Sequence, residues 1–470
     1  MTTGQIRKEV DFIKGIKLIS LILTNIILYL LISKSFDVVN LAWVSILQLV
    51  INLLILNINS NKQLIFISIF LVLSWIFHCG QIVKYAFNIS GEVPLPFYNY
   101  GTNEDFVNAF IFYFCSQTLI VFGYLICKKT SYDSKVLLSN STSTFYLAIT
   151  LIVIGIIPRL YIDLSKLLVS IRSGYVKIYD IYVPTVLNSL AFICDAGFML
   201  LLLAWDSKRA KAIVFYSVLL YKFLIMFSGS RQYAVCFLLV FTIVYFWIIK
   251  EINFRKKIIL FIGIAIAVIL IDFIGKIRSQ GFKLATIGQM FDIKNNTVIG
   301  DSLGEFGSAY CSLIAAIKQV PDVARHGYGR SYLAAILSAI PTLVSRIPIL
   351  KESVTFTTLL NNTEFFGGSY IGEFYYNFSW FGILAAGVLG YVICKCQNGI
   401  SNRDNVKGIM WNSLVYMWLL LYIRGYITDM AQSVIWLWFI VFVLFAPNKS
   451  DMRKELLNER TYGNDNNSCL

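Results

Sequence analysis

Apolar residues in this chain come in uninterrupted runs of about 17 to 25, the length that carries an α-helix across ~30 Å of hydrocarbon. The runs recur from end to end, and about twelve are discernible, at 15–32, 38–56, 64–87, 106–127, 144–164, 185–205, 212–228, 232–249, 258–274, 379–396, 408–423 and 430–446. The short alternating segments that build an outer-membrane barrel are not visible. The pattern therefore predicts an all-α polytopic integral membrane protein of about twelve transmembrane helices, with one large extracytoplasmic loop. The first run follows Arg7, Lys8, Lys14 and Lys17, as a signal peptide would, but no small-residue cleavage site comes after it, so it reads as a retained span.

Composition agrees and charge adds orientation. The chain is 57% hydrophobic and only 14% charged, with a mean hydropathy of +0.70, outside the range of soluble domains. Lysine and arginine cluster in alternate loops, at 128–135, 208–211, 250–257 and 395–407, which the positive-inside rule places in the cytoplasm together with both termini. The organisation expected is a nine-span bundle over 1–274, a large periplasmic loop over 275–366, three further spans over 367–447 and a disordered cytoplasmic tail over 448–470. A second long outer segment is expected over 158–184. The nine cysteines mostly sit in apolar runs, lack zinc-ligand spacing and have only two histidines to join them, so no metal is expected.

The outer side is where chemistry is possible. Arginine is enriched there relative to lysine, and a guanidinium grips phosphate oxygens in two places and is always charged. Arg159, Arg172, Arg278, Arg330, Arg346 and Arg424 are candidates for holding a pyrophosphate, with Tyr370 and Tyr376 against a glycan. Arg231 is the sharper case, held near the membrane plane in the turn Ser228-Gly229-Ser230-Arg231-Gln232. Outer carboxylates are scarce. Glu305, in 300–306 (GDSLGEF), and Glu373, where the chain re-enters the membrane, are the candidate general bases for a sugar hydroxyl. Within the bilayer, Asp195 and Lys222 are expected to pair, because lone charges there are costly.

The SGSRQ turn, a GEFG element in the long loop, and NNTEFFGGSYIGEFYYNFSWFG over 361–382 resemble the O-antigen and capsular (Wzy-type) repeat-unit polymerases. That resemblance implies a cofactor-free, metal-independent glycosyltransferase of the bacterial inner membrane, similar to other polyprenyl-dependent ones. It implies an undecaprenyl-pyrophosphate-linked oligosaccharide substrate and membrane lipid as partners, with a chain-length regulator and a flippase, and no nucleic acid. Arg231 and one of the two glutamates would be catalytic. The alternatives are an O-antigen ligase, with His326 as its loop histidine, and a lipid-linked oligosaccharide flippase.

Overall fold

The computed structural model describes residues 3–32, 36–58, 65–128, 142–173, 175–205, 207–226, 231–249, 297–363, 366–403 and 405–444. Among them every regular element is helical. The N-terminal part is built from α1 (Thr3–Leu30), α2 (Val38–Asn57), α3 (Ile65–Ala86), α4 (Asn103–Ile126), α5 (Thr142–Ser173), α6 (Thr185–Ala204), α7 (Lys208–Met226) and α8 (Arg231–Val244). The remainder holds α9 (Val298–Phe306), α10 (Ala309–Gln319), α11 (Arg330–Leu337), α12 (Leu343–Arg346), α13 (Pro348–Ser353), α14 (Tyr370–Phe378), α15 (Gly382–Ser401), α16 (Val406–Tyr422) and α17 (Ala431–Phe439).

Among the described residues seven stretches are long and apolar enough to cross a membrane: Phe12–Leu30, Val38–Asn57, Phe66–Ala86, Asn103–Ile126, Thr142–Ser170, Thr185–Ala204 and Tyr370–Ser401. Arg231–Trp247 and Ala431–Val443 are apolar but shorter. The seven long stretches coincide with seven of the twelve expected spans. Helix α7 carries Lys208, Arg209, Lys211 and Lys222 within its 19 residues, and α16 has only 17. The expected span at 258–274, Arg278 and the tail over 448–470 lie outside the described residues.

The helices turn apolar side chains outward, as Ile19, Leu23, Ile26, Ile27 and Leu30 do on α1. Lipid tails are as apolar as leucine, so association here rests on close packing and interhelical hydrogen bonds. Both are present. A Cβ on Gly123 of α4 would stand 1.9 Å from the Gly387 carbonyl oxygen of α15, and one on Gly390 would stand 1.9 Å from that of Ile120. These glycines let the two backbones touch. Helices α1, α2 and α4 are joined by amides: Gln48 donates to Asn25 Oδ1 at 3.1 Å and to the Phe114 carbonyl at 2.8 Å, and Thr118 donates to Asn25 Oδ1 at 2.9 Å. Helix α4 opens on a reciprocal capping box between Thr102 and Asp105.

Two boundaries differ from the sequence reading. Helix α5 runs through Pro158 to Ser173, so Arg159 and the residues after it are helical and not part of an outer loop. Neighbouring helices in a membrane tolerate such a proline because they compensate for the lost backbone bond. The span expected at 379–396 begins earlier, at Tyr370, and is broken at Ser379 by a φ of +51°.

The described part of the expected loop is welded to the bundle. Gly304 and Gly307 bring α9 against the 90–93 segment and the end of α3, where a Cβ would lie 2.2 Å from the Glu92 carbonyl oxygen and 2.5 Å from the Gln81 nitrogen. Gln81 ties the arrangement by donating to the carbonyls of Gly304 and Leu95, each at 2.9 Å. Residues 309–316 of α10 are buried without interruption. Helix α10 is a core element among α3, α4 and α14.

Candidate functional site

One end of the bundle gathers the charged residues. The C-terminal half of α5, the N-terminal half of α6, the first turn of α8, the end of α16 and the start of α17 surround a cleft of about 570 Å³. Arg159, Asp163, Lys166, Arg231, Tyr233 and Asp429 are among its lining residues.

Beneath it lies a buried ion network. On α5, Arg159 Nε contacts Asp163 Oδ2 at 2.8 Å, and its Nη1 reaches Asp195 Oδ2 on α6 at 3.2 Å. Lys222 Nζ of α7 meets Asp195 Oδ1 at 2.5 Å, which realises the expected pair. Tyr233 of α8 donates to Asp195 and Tyr221 of α7 donates to Asp163, both at 2.5 Å. The Arg159 guanidinium also lies 5.0 Å from the centre of the Tyr233 ring. Four helices are thus tied through two carboxylates. Tyr233 stands two residues after Arg231, so the network also fixes where α8 begins.

Arg231 is nearly buried, and its Nη2 pairs with Glu305 Oε1 of α9 at 3.0 Å. Two residues singled out separately in the sequence therefore meet. The Glu305 side chain remains 38% exposed, so it is the half of the pair that solvent reaches.

Glu373 has a different setting. It is fully buried on α14, where Oε2 accepts from the Ile427 amide at 3.1 Å and Oε1 accepts no hydrogen bond. It is joined to the turn between α16 and α17. Other bonds hold that turn too: Thr428 donates to the Val354 carbonyl at 3.2 Å, and the hydroxyls of Tyr426 and Thr357 share a hydrogen bond. Gly368 meets the Gly425 backbone, where a Cβ would lie 2.2 Å from its carbonyl oxygen. The turn presents Asp429, which is exposed on the cleft wall. Desolvation of its carboxyl by the protein around it pushes it up to about 6, and the Tyr426 amide, donating to Oδ2 at 2.9 Å, opposes the rise.

The other candidates do not converge on the cleft. Arg172 is exposed on the last turn of α5, and Arg346 is exposed on α12. Arg330 is half-buried at the start of α11, and Arg424 lies half-buried beside Gly367. Tyr370 belongs to the core, its hydroxyl shared with Ser74 and Gln117 at 2.8 Å each. Tyr376 is buried and stacked on Phe356, with ring centres 5.5 Å apart. His326 is half-buried, with Nδ1 3.2 Å from the Tyr376 carbonyl oxygen. His78 spends both ring nitrogens, on the Ser74 carbonyl and on Ser369 Oγ, each at 2.9 Å. Among the described residues no group of three or more His, Cys, Asp or Glu is placed to hold a metal ion.

Asp163, Lys166 and Asp429 are cleft residues that the sequence reading passed over. The signal for the first two was their spacing: 159, 163 and 166 share one face of a helix, visible once Pro158 is read as internal to it.

In comparison with known proteins, a family model described as O-antigen polysaccharide polymerase Wzy matches residues 16–454. No curated protein and no solved structure matches the chain.

Proposed function

Because the chain belongs to the O-antigen polysaccharide polymerase Wzy family, we propose that its charged cleft joins undecaprenyl-diphosphate-linked repeat units at the periplasmic face of the inner membrane. This is a multi-pass membrane protein with an O-antigen polymerase role and a glycosyltransferase-type activity. The family match favours neither a ligase nor a flippase.

The observation that carries the finer reading is Arg231, held by Glu305 at a cleft that Arg159 and Lys166 also line. In this reading Arg231 and Lys166 grip the diphosphate of the donor. As the bond from the sugar to the diphosphate breaks, negative charge grows on the departing oxygen, and fixed cations in a partly dry site stabilise it without reorganising. Arg159 contributes field from below, its own hydrogen bonds being given to Asp163 and Asp195. Glu305 aims Arg231 while the site is vacant and is displaced to water when the diphosphate takes its place. Glu373 holds the 424–429 turn in position. The positive-inside pattern supports placing this end of the bundle in the periplasm.

The test is elongation of a synthetic undecaprenyl-diphosphate repeat unit by purified protein in nanodiscs. Arg231→Ala is expected to lose roughly 10²–10³-fold in turnover, the scale of removing one donor from a site that stabilises developing charge. Arg231→Lys, which keeps charge but not the planar fork, falls between. Full activity in Arg231→Ala discards the cleft as the site.

A further inference from the structure

We infer that Asp429 is the general base that takes the proton of the acceptor hydroxyl. The inference rests on the reading of the cleft above and adds to it the residue that performs the proton transfer. Glu373 is sealed away from the cleft, and Glu305, paired with Arg231 from the side of α9, is not among the residues that line it. Asp163 lines the cleft but accepts from both Arg159 and Tyr221. Asp429 stands on the cleft wall with Oδ2 fixed by the Tyr426 amide.

Its turn is anchored independently of any substrate, by Glu373 through the Ile427 amide, by Thr428 on the Val354 carbonyl and by Tyr426 on Thr357. A base must sit within hydrogen-bond reach of the proton it removes, and its support must hold it there. Gly425 is part of that support, since a Cβ on it would stand 2.6 Å from Asp429 Oδ2. The carboxyl, pushed up to about 6, is ionised at neutral pH and still basic enough to accept a proton. The charged and titratable groups around it are Arg159, Asp163 and Lys166 of α5, Arg231 and Tyr233 of α8, Glu373 of α14, and Arg424 and Tyr426 of its own turn.

The step balances. The acceptor hydroxyl oxygen forms a bond to the anomeric carbon of the donor sugar as the bond from that carbon to the diphosphate breaks. The electron pair leaves with the lipid diphosphate, and the hydroxyl proton passes to the Asp429 carboxylate.

The experiment compares wild type, Asp429→Asn, Asp429→Glu and Arg231→Ala in nanodiscs. It measures turnover on the synthetic repeat unit from pH 5 to 8 and binding of undecaprenyl diphosphate alone. Asp429→Asn is expected to lose about a hundredfold or more in turnover, with lipid-diphosphate affinity kept within roughly threefold. Asp429→Glu is expected to restore part of the rate and to displace the fall in rate that wild type shows as pH drops through about 6. Turnover near wild type in Asp429→Asn beside a dead Arg231→Ala overturns the inference and leaves the cleft reading intact. Wild-type turnover in both variants removes the cleft reading itself. Loss of lipid-diphosphate binding in Asp429→Asn, with no recovery in Asp429→Glu, makes the residue structural and also overturns the inference.

Discussion

Replacing Asp195 with Asn tests the buried network where it is most exposed to error. Asp195 is the shared acceptor of Lys222 at 2.5 Å, Arg159 at 3.2 Å and the Tyr233 hydroxyl at 2.5 Å, and both Asp195 and Lys222 are fully buried. With Asn there, Lys222 and Arg159 are left with one carboxylate, Asp163, which is bonded to Arg159. Breaking a buried pair by removing one partner costs about 3–5 kcal/mol, because the remaining charge stays desolvated and uncompensated. That is roughly two to four powers of ten in the folding equilibrium. Lys222→Met should be milder, about 1–3 kcal/mol, since Asp195 keeps Arg159 and Tyr233. The double variant should be more stable than the sum of the singles predicts, because Lys222→Met removes the very cation that Asp195→Asn strands. The assay is unfolding in mixed micelles titrated with dodecyl sulfate, followed by far-ultraviolet circular dichroism. If Lys222→Met is as damaging as Asp195→Asn, or if the two changes add without coupling, the network does not hold these helices as described.

Glu373→Gln keeps an oxygen to accept from the Ile427 amide, so elongation within roughly threefold of wild type is expected, while Glu373→Leu should lose it; an inactive but folded Gln variant returns the carboxylate to the chemistry. Gly390→Ala places a methyl 1.9 Å from the Ile120 carbonyl oxygen, an overlap worth about 1–3 kcal/mol or more, seen as a lower melting temperature in detergent. Gly15→Ala meets nothing within 4 Å and serves as the unaffected control. Ser369→Ala removes the acceptor of the Gly372 amide at 3.2 Å and the partner of His78, and is expected to cost about 1–2 kcal/mol in the same melt.

Run length in the sequence foretold the helical membrane fold because hydrocarbon thickness sets it directly. The Asp195–Lys222 pair was legible for a related reason: charges in apolar runs are rare and need partners. Arg159 and Asp163 were harder to connect to it, since the expected span 144–164 and the expected outer segment 158–184 both claim them, and a proline such as Pro158 weakens the case for helix beyond it when no neighbouring helix is in view. Sorting arginines by membrane side gave a side but no convergence, and so it grouped Arg172 and Arg346 with Arg231. Glu373 looked like an outer carboxylate because the sequence around it is polar and glycine-rich. What buries it is the packing of α10 and the 424–429 turn against α14, contacts between residues far apart in the chain.

Exposure then separates the charges that hold the fold from those that can exchange partners. Among the described residues, Arg159, Lys166, Lys222 and Arg231 in or beneath the cleft face Asp163, Asp195, Glu305 and Asp429. A diphosphate entering this balanced set must displace an anion or recruit a proton. Asp195 cannot yield, because its release would strand Lys222 with no solvent to reach it. Glu305 yields at small cost, since more than a third of its side chain already meets water. In the proposed reading Arg231 stays paired throughout, changing a carboxylate for a phosphate, so the buried guanidinium is never left bare. Negative charge added there raises the proton affinity of any carboxylate facing it, so in the proposed mechanism the donor's own diphosphate would make Asp429 a stronger base once the site is filled.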